Sequence, residues 1–395
     1  MHKDDVALRK VLALVRSGEA TSRAEIARRT SLARSTVGQQ VDHLVSCGLV
    51  SEDEGSETVR GRPPRVLRIS PQAGVIAAAD VDGTATHLAL SDLTGKVLAR
   101  ETTSIPIEAG PHRALNDLGE RIRSLLADHA PDRPLRHVVV GLPAPVTPDG
   151  CTVKAPVTLR AATMSGWDGT PVATHLEEVL SAPVTVDNDV NLMALGESCH
   201  DDAQGPLLFI KVGAGIGSGV VTAEGTVLRG ADGAAGDINH LRIAHDSEVV
   251  CACGHTGCLG SVASYRAVLH DLDIPFTEDP LHGSRQLAEL TASGDPTTLR
   301  RIRRAATHLG EAAALLIQVH NPRTLVLGGL LAQLNDEVLS GVRAAVYDRA
   351  APLFTRKLTI TTSTLSDRAG VTGATALALD RVFHDDGLTR LLSHR

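Results

Sequence analysis

Three of the chain's six cysteines fall within eight residues, Cys251-Ala-Cys253-Gly-His-Thr-Gly-Cys258, and His240 precedes the first of them by eleven positions. Sulfurs spaced this tightly converge only if the backbone turns sharply, and Gly254 and Gly257 permit such turns. Tetrahedral zinc takes four nitrogen or sulfur ligands, and short Cys spacings on a glycine-containing knuckle supply them. His240, Cys251, Cys253 and Cys258 are therefore expected to hold a structural Zn²⁺. Two other uses of the cysteines exist. Isolated cysteines often serve as small buried apolar groups. A disulfide is the second use, but a C-x-C bridge is strained and nothing marks the chain as secreted.

At 395 residues the chain exceeds one typical domain. Aromatics make up only 2% of it, and the apolar content is mostly Ala, Val and Leu, which suits an α/β protein. It has no apolar run long enough to span a bilayer. The start, Met-His-Lys-Asp-Asp, lacks a signal-peptide core. A cytoplasmic protein with reduced thiols and no membrane partner is expected. The net charge of −7 argues against a protein that coats nucleic acid over its whole surface. The charge is uneven, however. Residues 1–70 hold 12 Lys and Arg against 9 Asp and Glu, and the remainder holds 27 against 37. A slightly basic unit on an acidic body suits a DNA-reading head joined to a ligand-binding domain.

Residues 5–16 carry an apolar stripe of Leu8, Val11, Leu12 and Val15 with Gly18 as a stop, which predicts a helix. Ser22-Arg-Ala-Glu25 is a capping box opening a second helix to about Arg29. After a short turn, a third helix is expected from Arg34 to Cys47. Val37, Val41, Leu44 and Val45 face inward, and Ser35, Gly38, Gln39, Gln40 and His43 face outward. This is a helix-turn-helix pattern, whose second helix lies in the major groove. Gln39 or Gln40 suits adenine edges, Arg34 suits guanine or phosphate, and Ser35 and Thr36 suit phosphate. A plain three-helix bundle would share the pattern, but a wing follows. A strand begins at Gly48-Leu49-Val50, a polar hairpin spans Ser51 to Thr58, and Arg65–Ile69 is the second strand. Between them Arg60-Gly61-Arg62-Pro63 offers two guanidinium groups on little bulk, which suits a narrow minor groove or a flexible basic linker.

From residue 74 strands alternate with helices: strands at 75–80, 86–91, 96–104, 137–141, 184–187, 207–212, 218–222 and 324–328, with helices at 112–128, from 190, and at 296–319. Strands joined by crossover helices imply α/β layering. The motifs in this stretch are Asp80-Val-Asp-Gly83-Thr84, Gly141-Leu-Pro-Ala-Pro-Val, Asp187-Asn188-Asp189-Val-Asn191, Val212-Gly-Ala-Gly-Ile-Gly-Ser-Gly219, Gly233-Ala-Ala-Gly-Asp237-Ile-Asn-His240, the cysteine knuckle, and Val326-Leu-Gly-Gly329. In this order and spacing the body, about residues 74–385, resembles the ROK family of bacterial sugar kinases and transcriptional repressors.

That resemblance implies a winged helix-turn-helix at 1–72 followed by a two-lobed actin-like ATPase (ribonuclease H-like) domain at 73–395. The small lobe would span about 73–187 plus a C-terminal helix at about 373–395, and the large lobe about 188–372. In kinases of this type two glycine-containing turns cradle ATP phosphates, matching Asp80–Thr84 and Gly213–Gly219 here. Asp189 matches the base that deprotonates the sugar hydroxyl, and Asn188 matches a sugar-hydroxyl partner. Asp237 and His240 would flank the sugar. The chain departs from the kinase pattern at four places. Asp82 stands where kinases have a glycine, Asp237 replaces Glu, Asn239 replaces Gly, and Gly260 stands where a sugar-binding Glu belongs.

The expected function is therefore a sugar-responsive regulator, a repressor rather than an enzyme. It would bind an inverted-repeat double-stranded DNA operator as a homodimer or homotetramer, with Asn188, Asp189, Asp237 and His240 as ligand-binding residues. An active kinase with a DNA-binding head, or a regulator with a non-sugar effector or none, are the alternatives. Cys47, Cys151 and Cys199 are read as buried thiols.

Overall fold

The computed structural model describes residues 3–54, 65–82, 85–153, 164, 166–200, 205–276, 280–334 and 336–393. The head comprises α1 (Lys3–Ser17), α2 (Arg23–Thr30), α3 (Arg34–Ser46) and an antiparallel pair, β1 (Val50–Glu54) and β2 (Arg65–Ile69). Ile26, Val37, Val41 and Leu44 are fully buried between the helices. Ser22 Oγ accepts from the Glu25 amide at 3.3 Å, and Glu25 Oε2 accepts from the Thr21 amide at 3.0 Å, so the capping box closes one residue further out than expected. Arg23 ties three elements together. Its guanidinium pairs with Asp42 of α3 at 2.7 Å and Glu52 of β1 at 3.2 Å.

The body then runs β3 (Val75–Val81), β4 (Thr86–Asp92), β5 (Val97–Thr103), α4 (Pro111–His129), β6 (Leu135–Leu142), α5 (Val172–Leu180), β7 (Val184–Asn188), α6 (Asp189–Ser198), β8 (Leu207–Val212) and β9 (Ile216–Val221). The loop segment carrying the knuckle leads to α7 (Leu259–Ala263), α8 (Tyr265–Asp271), α9 (Pro280–Ala292), α10 (Pro296–His320), β10 (Thr324–Gly328), α11 (Leu330–Leu334), α12 (Asp336–Arg349), α13 (Pro352–Thr355), β11 (Thr359–Thr362), α14 (Ala369–Phe383) and α15 (Asp385–Ser393). Most of the strands and helices read from the sequence form within two residues of the expected ends. In the wing, however, Ser51–Glu54, expected in the polar hairpin, continue β1 and pair with Arg65–Arg68 of β2. The C-terminal helix is an exception: α14 begins earlier than expected, and a break at His384 separates it from α15.

Two sheets result. One has the order β5-β4-β3-β6-β7, and the other β11-β10-β8-β9. In the first, β3, β6 and β7 are parallel, and β4 and β5 add an antiparallel meander. In the second, β11, β10 and β8 are parallel and β9 is antiparallel. β3 shows why its sequence lacks polar alternation: all seven residues are buried. Val75, Ala77, Ala79 and Val81 enter the core under α4 and α5. Ile76 and Ala78 enter a second core shared with α14 and the head. A strand covered on both faces reads as a continuous apolar run. The C-terminal ends of β3, β6 and β7 lie side by side, with Asp80 opposite Gly141 and Leu142 opposite Asn188. Ligand crevices of open α/β sheets form at such ends. No helix among the described residues is long and apolar enough to cross a membrane.

Candidate functional site

On the head, Arg34, Ser35, Gln39 and His43 of α3 are exposed and Thr36 is half-buried. Gln40 differs from expectation: it is only 8% exposed. It lies three residues after Val37 and four before Leu44, so the helical period turns it onto the inner stripe. Arg60 and Arg62 lie outside the described residues. The thiols of Cys47 and Cys151 are half-buried and Cys199 is exposed, contrary to the buried placement expected. Cys47 and Cys199 are the residues that cap α3 and α6, where the chain leaves the core.

At the knuckle the ligand atoms of His240, Cys251, Cys253 and Cys258 all lie within 4.8 Å of one another. Cys253 and Cys258 Sγ are 3.5 Å apart, and Cys251 Sγ is 3.4 Å from His240 Nδ1. A tetrahedron with metal–sulfur bonds of about 2.3 Å has sulfur–sulfur edges of about 3.8 Å, so the donor set fits a metal ion in type and span. The thiols are also in electrostatic conflict. The His255 backbone amide draws Cys253 down, while burial, then the neighbouring thiols, push Cys258 up. A divalent cation removes that conflict by stabilising all three as thiolates. The turns are tight: a Cβ on Gly257, which has φ +70°, would overlap the Ala244 carbonyl.

The buried charge cluster at the strand ends is built around a residue the sequence reading passed over. Lys211, inside the apolar strand β8, is 8% exposed, and its ammonium lies 2.6 Å from Asp82 Oδ2 and 2.6 Å from Asp189 Oδ2. Burial opposes the charge on Lys211, but Asp189, Asp82 and Asp80 outweigh it and raise its pKa. Burial raises the pKa of Asp189; Lys211 offsets part of this and Asp82 adds to it. Asp80 is completely buried with neither carboxylate oxygen hydrogen-bonded, and burial raises its pKa well above the usual range. A lone charge in an apolar strand was the available signal, because a buried ammonium requires a partner.

Asn188 caps α6: its Oδ1 accepts from the Val190 and Asn191 amides at 2.9 and 3.3 Å, and its Nδ2 donates to Ala144 O at 3.2 Å. Asp189 Oδ1 accepts from its neighbour's amide at 2.9 Å, so both of its oxygens are engaged. Asp187, not singled out as a ligand residue, is gripped by Arg229 at 2.6 Å and by Asn191 at 2.9 Å. The glycine run at 213–219 has a packing role independent of phosphate. A Cβ on Gly219 would meet Val190 O at 2.8 Å and Ala194 Cβ at 2.9 Å, so α6 seats directly on the β8–β9 hairpin.

Asn239 and Gly260 are packed against each other. A Cβ on Gly260 would overlap Asn239 Oδ1, and that same oxygen accepts from the Ile216 amide at 3.1 Å. The Asn239 side chain thus fills the space a residue-260 side chain would take and holds the 213–219 hairpin, while its backbone carbonyl accepts from the Gly260 amide at 2.9 Å. Asp237 is exposed, and its Oδ1 accepts from the Asn239 amide at 3.3 Å. The structure therefore joins Asn188, Asp189 and Lys211 on one floor, and Asp237 and His240 on the segment leading to the knuckle.

The ROK family pattern matches residues 76–381. The chain belongs to the ROK family. Among ROK relatives, a putative xylose repressor of Caldicellulosiruptor sp. (strain Rt8B.4) is 29% identical over 372 residues, covering 91% of each chain. A glucokinase of Halalkalibacterium halodurans is 29% identical over 312 residues, covering 74% of this chain and 92% of its own. A crystal structure of a ROK family transcriptional regulator, a homologue of the E. coli MLC protein, superposes with a TM-score of 0.81 over 100% of both chains at 22% identity, which shows the shared fold.

Proposed function

We propose that this ROK protein is a sugar-responsive transcriptional repressor. Residues 1–72 form a winged helix-turn-helix head that binds an operator in the cytoplasm. Residues 73–395 form a two-lobed body that takes the effector. The observation that carries the reading is the head itself: an exposed α3 face with Arg34, Ser35, Gln39 and His43, followed by a paired wing, on a chain that aligns along 91% of its length with a repressor relative. Arg34, Ser35, Thr36 and Gln39 contact DNA from α3, joined by Arg60 and Arg62 from the sequence between β1 and β2. One head buries too little DNA for a specific site, so the active form is a homodimer or homotetramer on an inverted repeat.

The same protein does not act as a kinase. A base must be free to take a proton, and Lys211 holds the Asp189 carboxylate at 2.6 Å. Asp82 adds a carboxylate where phosphates would approach. His240, Cys251, Cys253 and Cys258 hold a structural Zn²⁺ with all four positions filled, which pins the Asp237–His240 segment beside the effector cleft. Asn188, Asp189, Asp237 and His240 remain the effector-side residues.

The test selects duplexes from a random library with the full chain. The selected duplex is then titrated with D-xylose and a panel of mono- and disaccharides. A sugar that raises the melting temperature and releases the duplex supports the reading. Failure to select any duplex refutes it, and steady ATP consumption with a sugar would restore the kinase reading.

A further inference from the structure

The cleft floor and the head lie at opposite ends of one helix. In the first turn of α14, Gly370 sits so close to Asp80 that a Cβ there would overlap Asp80 Oδ2. At the other end, Phe383 stacks under the Arg16 guanidinium of α1, 4.7 Å from the ring centroid. The 15 residues of α14 make a rod about 22 Å long.

Contact along this rod is stiff. α6, which begins with Asp189, crosses α14 backbone to backbone. A Cβ on Gly196 would overlap Ala369 O, and one on Gly373 would overlap Leu192 O. Where long side chains separate two helices, rotamer changes absorb small shifts. Where backbones touch, a shift of one helix moves the other. Towards the head, Val371, Leu377 and Val382 of α14 share one apolar cluster with Leu8, Val11 and Leu12 of α1. The cleft end also has a discrete element to read. Lys211 of β8 bolts Asp82, just past β3 in one sheet, to Asp189 at the start of α6.

We propose that α14 is a connecting rod that carries the state of the Lys211 bolt to the head. A ligand that takes Asp82 or Asp189 from Lys211 shifts α6, α14 follows, and Phe383 and its apolar neighbours reposition α1. That the head binds DNA rests on the function proposed above, whereas the coupling is measured without DNA.

The experiment is hydrogen exchange on the full chain, in two cleft variants, each with and without Phe383→Ala. Gly370→Ala wedges the cleft end of α14, and Asp82→Asn removes one arm of the bolt. Either cleft variant that retains its cooperative melt is informative. The expected result is exchange about three- to tenfold faster at residues 8–17 in the cleft variants. That response should fall below about twofold when Phe383→Ala is present, while residues 80–82 and 189–192 stay perturbed. Unchanged exchange at 8–17 in the cleft variants overturns the proposal, as does an equal response with and without Phe383. A chain that shows the coupling but selects no duplex keeps the rod and sinks the DNA-binding reading.

Discussion

Replacing Lys211 by Met tests the electrostatics of the cleft most directly. The methionine side chain fills similar space, so the change is one of charge. In the wild type the ammonium is within 2.6 Å of two carboxylates, with the unpaired Asp80 nearby. Removing one member of a buried ion pair costs about 3–5 kcal/mol because the partner charge stays buried. At about 2–4 °C per kcal/mol for a large domain, the melting temperature should drop by about 6–20 °C at pH 7.5. The sign of the pH dependence follows from linkage. Burial already raises the pKa of Asp80 and Asp189, and losing Lys211 removes the opposing pull on both. Their folded values then lie further above the unfolded values. A raised acid binds protons in the folded state, so stability is lost as pH rises towards the folded pKa and recovered as it falls. The deficit of Lys211→Met should therefore shrink between pH 7.5 and pH 5, by up to about 1.4 kcal/mol per pH unit for each proton taken up. Adding Asp189→Asn to the same chain should restore part of the loss at pH 7.5. Scanning calorimetry across pH is the assay. A melting temperature within about 2 °C of wild type at pH 7.5, or a deficit that grows on acidification, would refute the charge argument.

Three further outcomes separate the remaining assignments. On the head, Gln39→Ala and Arg34→Ala should weaken binding to the selected duplex by about 1–3 kcal/mol each without moving the melt of the body. Arg62→Ala should flatten the salt dependence by about one unit of log–log slope. Gln40→Ala should instead lower the head's thermal stability, and gel shifts with circular dichroism distinguish the two effects. At the knuckle, elemental analysis should find one zinc per freshly purified chain, and Cys253→Ser should lose it and melt earlier. A wild-type chain without zinc refutes that assignment. In the cleft, Gly260→Glu alone should destabilise through overlap with Asn239. Asn239→Gly with Gly260→Glu should recover most of the loss, and additive losses would show that the two positions are independent.

Much of the architecture was legible because it rests on local rules. The Leu8, Val11, Leu12, Val15 stripe set α1, and Ser22 with Glu25 set the start of α2. The apolar run at 207–212 marked a strand, and the structure shows it buried on both faces. The knuckle was legible because metal ligation is set by donor type and spacing. Gln40 was misread because it was assigned outward by its polarity, whereas the helical period between Val37 and Leu44 turns it inward.

By itself, then, the sequence determined the order of elements, the His and Cys donor cluster that could hold a metal ion and the residues at 82, 237, 239 and 260. Tertiary structure decided what those residues meet. Lys211 meets Asp82 and Asp189 only because two sheets, each assembled from distant segments, bring their strand ends together. Asn239 and Gly260 are far enough apart along the chain to read as separate losses, yet they occupy one volume. The seating of α14 between Asp80 and Arg16 likewise depends on backbone contacts at Gly196 and Gly373, which no periodicity records. Local propensity is written residue by residue, but charge pairing and excluded volume act between whichever groups the fold brings within a few ångströms.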